Sequence, residues 1–403
     1  MAHGGPAGAE WRNWSESLRF RPAARAFPDS EEAVRAEVRQ AAAAGAVVRP
    51  VGAGHSSAPL VHTDDVLLSL DRLPAGVLAA DPDAAQATVG AGSRLQDLHG
   101  ELLRHGLAME NLGDVDTQTI AGAVATATHG SGRLPNLSAQ VVAVRLVTAD
   151  GEVVEVDADR DPDLLRAARV SLGALGVVTA LRLRLLPAFR ARRREWGVPI
   201  DECLTSFDRL LATNRTVDFY WYPRRDDAKL RTVNPVDHDP GPDALPSGVC
   251  TEDETGWSGP VLTKQRTLRF HEMEYAVPAE AGVPCFQEVR ERIKRRHRQY
   301  VGWRVLYRYV AADDAYLSPA HGRDTVTISL HQNQTLPYRE FFADIEPIFR
   351  AYGGRPHWAK IHNLAGRELL ALYPHADRFL AVRERLDPRG VFVNDYLRTL
   401  LGL

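Results

Sequence analysis

Residues 51–57 read Val51-Gly52-Ala53-Gly54-His55-Ser56-Ser57, and a second stretch of related character, NLGDVDTQTIAGAVATATHGSG, runs from Asn111 to Gly132. Both are rich in Gly, Ala, Ser and Thr. Small side chains let backbone N–H groups close on an anion, because a Cβ branch would hold a phosphate away from the amides. One such turn is a weak signal; two in one chain point to a dinucleotide. Neither has the usual nucleotide fingerprint. No G-x-G-x-x-G opens a helix after a first strand and no G-x-x-x-x-G-K-[ST] occurs, so Rossmann and P-loop folds lose their main support. Taken alone, Gly52 and Gly54 would equally serve a tight turn after the strand-like AVVRPV.

Upstream of the first turn, Glu31–Ala44 reads as an amphipathic helix with Pro28-Asp29-Ser30 as its start signal, and Ala46–Val51 as a β-run. Downstream, VLLSLDRL and AAQATVGAG are strand-like. SRLQDLHGELLRHG is a helix whose stripe is Leu95, Leu98, Leu102 and Leu103, with Ser93 as N-cap and Gly106 as stop. QVVAVRLVTADGEVVEV is a hairpin turning at Asp150-Gly151. DPDLLRAARVSLGALGVVTALRLRLLP gives a helix, a glycine turn and a strand, ending an α+β unit near Pro187. The middle of the chain differs: VDFYWYP, TLRFHEMEYAVP, WRVLYRYVAA and DTVTISLHQ are period-2 strands, mostly rich in aromatic residues. Asn234–Gly256, dense in Pro, Gly and acids, is expected to be a mobile surface loop, and Asp237, His238 and Asp239 within it to be solvated rather than metal-binding. YREFFADIEPIFRAYG and GRELLALYPHADRFLAVRERLDP read as helices, the second returning the chain to the first unit.

At 403 residues, two domains are expected. A formal charge of −3 implies no general attraction to nucleic acid or anionic membrane. The basic run Arg290–Gln299 fits the solvated face of a helix whose other side carries Val289, Ile293 and Tyr300. No apolar run is long enough to span a bilayer, and MAHGGPAGAEWRNW lacks a secretion signal. Cys203, Cys250 and Cys285 suit neither a disulfide framework nor a zinc site, so a cytoplasmic protein without a metal is expected.

Taken together, WRNWSESLRF, VRPVGAGHSS, NLGDVDTQTIAGAVATATHGSG, ARVSLGALGVVTALRLRL, HEMEYAVP, ADDAYLSP, RPHWAKIHNL and DPRGVFVNDYL resemble, in order, the sugar-1,4-lactone oxidase and alditol oxidase group of the vanillyl-alcohol-oxidase-type flavoproteins. The resemblance implies an α+β, two-domain fold. Residues 1–188 would form a PCMH-type FAD-binding domain and 189–380 a substrate (cap) domain with an antiparallel sheet, like that of D-arabinono-1,4-lactone oxidase. Residues 381–403 would return to the FAD domain. It also implies FAD carried covalently through its 8α-methyl group by His55, an attachment that raises the flavin potential and suits oxidation of an unactivated alcohol. The cofactor would be held by Gly52, Ala53, Gly54, His55, Ser56 and Ser57, then by Gly113, Asp114, Thr117, Gly122, Thr126, His129 and Gly130, and by Val177 and Asn394.

An alcohol-oxidising flavoenzyme brings a C–H bond against flavin N5, removes the hydroxyl proton and stabilises the developing charge. Arg308 and Lys360 align with the family's active-site cations, and His331 is the third catalytic candidate. Leu306, Tyr307 and Trp221 are expected to line the substrate pocket. Relatives acting on lactones or alditols carry E-x-R, and here Leu306 stands at the acidic position. Side chains two apart on a strand share a face, so an apolar group replaces a carboxylate in the cavity and the substrate differs or is less hydroxylated. The expected function is an FAD-dependent oxidase of an alcohol on a sugar-like, lactone or specialised-metabolite substrate, with O₂ reduced to H₂O₂; Ala121–Ala123 are compatible with O₂ entry. The alternatives are a dehydrogenase with another acceptor and a noncatalytic flavin- or sugar-binding protein.

Overall fold

The computed structural model describes residues 9–238, 240–241, 246, 248–264 and 268–403. Strand Val48–Val51, which delivers the first turn, pairs in parallel with Val66–Ser69, and that strand pairs in parallel with Ala24–Ala26. Helix Glu31–Ala43, where Ser30 Oγ accepts the Ala33 N–H at 3.3 Å, carries the chain from Ala24–Ala26 to Val48–Val51, the two strands that flank Val66–Ser69. Its buried Val34, Val38 and Ala41 join Val48, Leu68 and Phe392 in one core, so the far end of the chain packs on this layer. The Val48 N–H donates to the Val391 carbonyl at 2.8 Å.

A second, antiparallel sheet carries Val153–Asp157, Val141–Val147, Val177–Arg184, Gln86–Gly90 and Val77–Asp81 in that order. The expected hairpin is there, with Gly151 at φ 73° in its turn. Helix Leu95–Arg104 starts at Arg94 without a side-chain cap. Ser93, expected as that cap, instead donates to the Gly90 carbonyl at 2.6 Å and accepts the Gly76 N–H at 2.7 Å, because it is buried against the neighbouring loop.

The second half is built on an eight-stranded antiparallel sheet in the order Val249–Trp257, Arg190–Pro199, Asp227–Pro235, Thr216–Tyr222, Val305–Val310, Thr325–Asn333, Phe270–Pro278 and Arg355–Pro356. Pleating divides each strand between two faces. On one face Phe219 stacks on Tyr307 at 4.7 Å, with Phe207 of helix Ile200–Thr213 and Phe286 of helix Gly282–Arg296 edge-on to them. Trp221 packs on Phe286 on that same face. Trp221 and Tyr307, expected in the substrate pocket, are therefore core residues: odd positions on these two strands face the helices, and even positions face the first half of the chain.

Two further expectations change. The Asn234–Gly256 segment is not all loop, since Val249–Trp257 is an exposed edge strand. Its acids answer the arginine-rich strand beside it: Arg192 binds Asp253 in a two-pronged ion pair, and Arg193 reaches Glu252 and Glu254. Asp239 of the presumed solvated Asp-His-Asp cluster lies outside the described residues, as does the N-terminal MAHGGPAG. The last long helical segment divides into Gly366–Leu370 and Ala376–Leu386, broken around Pro374. No helix among the described residues is long and apolar enough to cross a membrane.

Candidate active site

Two cavities meet at His55. The first, a cleft of about 990 Å³, is lined by Gly52, Ala53, Gly54, His55 and Ser56 of the first turn, by Gly122 and Thr126 of the second, and by the Ser171–Gly173 segment. The two turns touch here: a Cβ on Gly52 would fall 2.0 Å from Thr119 Oγ1. Gly54 sits at φ 70°, and a Cβ there would also press on the Trp11 ring at 2.9 Å. The backbone N–H groups of Ala53 to Ser56 find no acceptor among the described residues. Free amides in a small-residue turn, beside a cleft that the second turn also lines, are what a pyrophosphate-linked cofactor requires, so the residues present fit FAD. Leu172, a non-glycine at φ 56°, marks a backbone held in an uncommon conformation against the same cleft.

Arg49 holds this cleft together. It is fully buried and donates to the carbonyls of Leu60 (2.8 Å), Gly173 (2.9 Å), Leu172 (2.8 Å) and Phe392, joining the first turn, the Ser171–Gly173 segment and the C-terminal segment. Burial pulls its guanidinium down to about 9. The sequence reading missed it, although an arginine inside the otherwise apolar strand AVVRPV was a visible signal.

The second cavity, about 860 Å³, lies between His55 and the face of the large sheet opposite the aromatic core. Trp14, Tyr220, Phe270, Leu306 and Ala359 form its less polar walls, and Glu272, Glu274, Arg304, Arg308, His331 and Lys360 its charged and ionisable ones. All three catalytic candidates converge here. Lys360 is placed by a loop strapped to the Glu272 strand, the His357 N–H donating to the Glu274 carbonyl and the Ile361 N–H to the Glu272 carbonyl, each at 3.0 Å. The same loop receives the Ser57 N–H at the Ala359 carbonyl, 2.7 Å away, tying it to the first turn.

The sequence reading found the cations but not their partners. Glu272 and Glu274, two apart in HEMEYAVP, face the cavity together, so the carboxylate absent at position 306 does not leave the cavity without acids. Glu274 accepts from Arg308 Nη2 at 2.9 Å, from Ser329 Oγ and from His129 Nε2 at 2.8 Å. His129 Nδ1 lies 3.0 Å from the Gly130 carbonyl oxygen. Burial alone would push the Glu274 carboxyl up; the His129 ring and Arg308 overcome it and hold it well below the carboxylate range. Glu272 follows the same pattern one step along the strand. Lys360 Nζ donates to its Oε2 and His331 Nε2 lies 3.4 Å from its Oε1; these outweigh burial and hold it at about 2.

His55 has its Nε2 2.8 Å from Thr117 Oγ1, and burial, Lys360 and Arg94 lower it to about 4, so its ring is neutral at neutral pH. His129, Glu274 and His357 place ligand atoms within 4.8 Å of one another. Arg308 on Glu274 and the Ala359 N–H on His357 Nδ1 at 3.1 Å already use that set.

Several expected cofactor residues sit elsewhere. Ser57, Gly113, Asp114 and His129 line the second cavity rather than the first. Thr117 reaches the site through His55. Gly130 is a packing glycine, a Cβ there falling 2.1 Å from Asn111 Oδ1. Val177 lies in the core while its neighbours Gly176 and Val178 line the cleft, because strand alternation turns it inward. Asn394 caps the last helix and donates to the Pro59, Leu60 and His62 carbonyls, supporting the first turn from behind.

Comparison with known proteins agrees with this geometry. Residues 22–157 match the FAD binding domain model, and 181–250 with 251–400 match the model for D-arabinono-1,4-lactone oxidase. The chain is 37% identical to the L-gulono-1,4-lactone dehydrogenase of Mycobacterium tuberculosis, over 97% of this chain and 99% of that one. It is 33% identical to an alditol oxidase of a Streptomyces species, covering 87% and 89% of the two chains. It is 28% identical to mouse L-gulonolactone oxidase, covering 98% and 99%. Among solved structures, cholesterol oxidase from B. sterolicum superposes with a TM-score of 0.85 over 97% of this chain and 96% of that one, at 18% identity, a likeness of fold alone.

Proposed function

The chain belongs to the D-arabinono-1,4-lactone oxidase family of FAD-dependent oxidoreductases, and on that premise we propose that it oxidises an alcohol group of a sugar-like substrate in the cavity between His55 and the large sheet. The observation that carries this reading is the position of His55 on the wall shared by both cavities, with Arg308, Lys360 and His331 across the second. The chain would divide at 1–188, 189–380 and 381–403, and FAD would be bound covalently through His55, whose neutral ring is the nucleophilic form. Bound in the first cleft, FAD supplies the hydride acceptor and the route by which electrons leave to O₂ or another oxidant.

The protein's own residues supply the proton chemistry. Arg308 and Lys360, each fixed by a carboxylate, donate to the substrate oxygen and lower the cost of the charge that develops there. Glu272, held at about 2, is too weak a base to take the hydroxyl proton. His331 suits that role. Its Nδ1 donates to the Arg304 carbonyl at 3.1 Å, so a proton taken from the substrate is received at Nε2, 3.4 Å from Glu272, and the ion pair formed there holds it. Trp14, Phe270 and Leu306 exclude water around the reacting carbon.

We assign O₂ as the acceptor, giving H₂O₂. A dehydrogenase is the second reading, favoured by the name of the M. tuberculosis relative. The test is anaerobic bleaching of the flavin by lactones, alditols and other sugars, followed by readmission of O₂ with an H₂O₂ assay. Bleaching with slow recovery in O₂ and rapid recovery with a dye selects the dehydrogenase. Failure of every sugar-like alcohol to bleach the flavin refutes the function and favours a noncatalytic binding protein.

A further inference from the structure

The charged groups of the second cavity pair off, with one exception. Arg308 is matched by Glu274 and Lys360 by Glu272. Arg231, behind Tyr220, is matched by Asp218 and Asp114 at 2.7 and 2.8 Å. Arg304 lines the cavity and has no carboxylate within ion-pair distance among the described residues, and its Nε is buried without a hydrogen-bond partner. It is nonetheless held in place. Its carbonyl accepts from His331 Nδ1, and its guanidinium lies 4.4 Å from the centroid of the Tyr220 ring. Tyr220 is fixed in turn by donating to Asp114. Tyr220 and His331 belong to the strands on opposite sides of the Arg308 strand, so the guanidinium leans away from the proposed base, to the flank of the reacting position. The next cavity-facing residue, Leu306, offers nothing to neutralise it.

We propose that Arg304 is a specificity residue for an oxyanion carried by the substrate, so that the preferred substrate is an anionic sugar-like alcohol, a sugar acid or a sugar phosphate, rather than a neutral lactone or alditol. This rests on the functional reading above. A half-buried guanidinium with an unused N–H, braced on an aromatic face, is prepared for a carboxylate or phosphate oxygen. An apolar residue at 306 serves the same end, because an acid there would occupy the cation that the substrate needs.

The experiment uses the flavin-loaded protein in anaerobic rapid mixing, with matched sugars: glucose, glucuronate and glucose 6-phosphate, and galactose, galacturonate and galactose 6-phosphate. The half-saturating concentration for flavin reduction is expected to be about ten- to hundredfold lower for one class of anion than for its neutral partner, the range of a charge-assisted hydrogen bond. Whichever class shows it identifies the oxyanion. The advantage should shrink between about 0.1 and 1 M salt, where the screening length falls from about 10 to 3 Å. It should be lost in Arg304→Met and, independently, in Leu306→Glu, which places a carboxylate beside Arg304 on the same strand face. Equal half-saturation for anionic and neutral partners in the unmodified protein overturns the proposal and leaves the oxidoreductase reading standing. An anion preference that survives both substitutions also overturns it. Absence of flavin reduction by any sugar, charged or neutral, overturns the functional reading and this inference with it.

Discussion

Glu274→Ala tests the most interconnected part of the site. The Glu274 carboxylate is 1% exposed and accepts from three donors, Arg308, His129 and Ser329. Its removal leaves a buried guanidinium and a buried imidazole without their acceptor. Breaking a buried ion pair from one side costs about 3–5 kcal/mol, because the surviving charge stays desolvated. With an unfolding entropy of about 2.1 cal/mol/K per residue, a chain of 403 residues has a slope of about 0.85 kcal/mol per degree. The melting temperature should therefore fall by about 4–6 °C. Differential scanning calorimetry or the loss of flavin fluorescence quenching on heating reads this directly.

Arg308→Met closes the cycle. Alone it removes the cation but leaves Glu274 its His129 and Ser329 partners, so it should cost less than Glu274→Ala. The double variant should be more stable than the sum of the single losses by at least about 1 kcal/mol, the coupling usual for groups in one hydrogen-bonded network. A Glu274→Ala melting point within about 1 °C of the unmodified protein would refute the claim that this pair anchors Arg308. Strict additivity in the double variant would refute it equally.

Acid precipitation should leave yellow protein with the flavin mass on the peptide containing His55, and His55→Ala should lose that bond; release of all flavin by acid refutes the attachment. Gly54→Val should abolish flavin loading, since it combines a Cβ at φ 70° with a 2.9 Å approach to Trp11; normal absorbance at 450 nm after purification would remove the first turn from the cofactor site. Stability should fall as pH drops from about 6.5 toward 4. His357 and His362 are depressed to about 3 and 4, chiefly by burial, so the unfolded chain binds protons in that window and the folded one does not. A melting temperature flat across the window, or unchanged in slope after His362→Gln, would contradict this. His331→Gln should slow flavin reduction by about 10²–10⁴-fold with flavin content intact if it is the general base, and a rate within threefold of the unmodified protein would exclude that role.

The chain's periodicities carried much of this. The helix at Glu31–Ala43, the Asp150-Gly151 hairpin and the aromatic strands are local patterns, and each formed where its pattern lay. The motif residues Arg308, Lys360, His331 and His55 also converged, because family motifs record which segments meet. Facing direction was harder to read. Tyr307 and Trp221 are aromatic neighbours of site residues, and aromatic character suits a pocket and a core alike. Only the register of the sheet decides, and it turns both toward the helices. The Val249–Trp257 strand escaped notice for a related reason. An acidic, exposed edge resembles a loop until the arginines of the neighbouring strand are placed beside it.

Leu306 shows how a correct residue-level observation can support too broad a conclusion. The acid is missing from its own strand, but the cavity is assembled from several strands, and Glu272 and Glu274 come from one two places away in the sheet. What the substitution removes is therefore not acidity in general but a negative charge between Arg304 and Arg308. Arg308 retains a partner in Glu274, which lies on the far side of the intervening His331 strand and reaches across it. Arg304 is farther along and has none among the described residues. The local consequence of one apolar residue is then a cation left for the substrate to neutralise. On that argument, specificity in this chain lies at the Tyr220 flank of the cavity, while the proton chemistry stays with the Glu272 and Glu274 pairs.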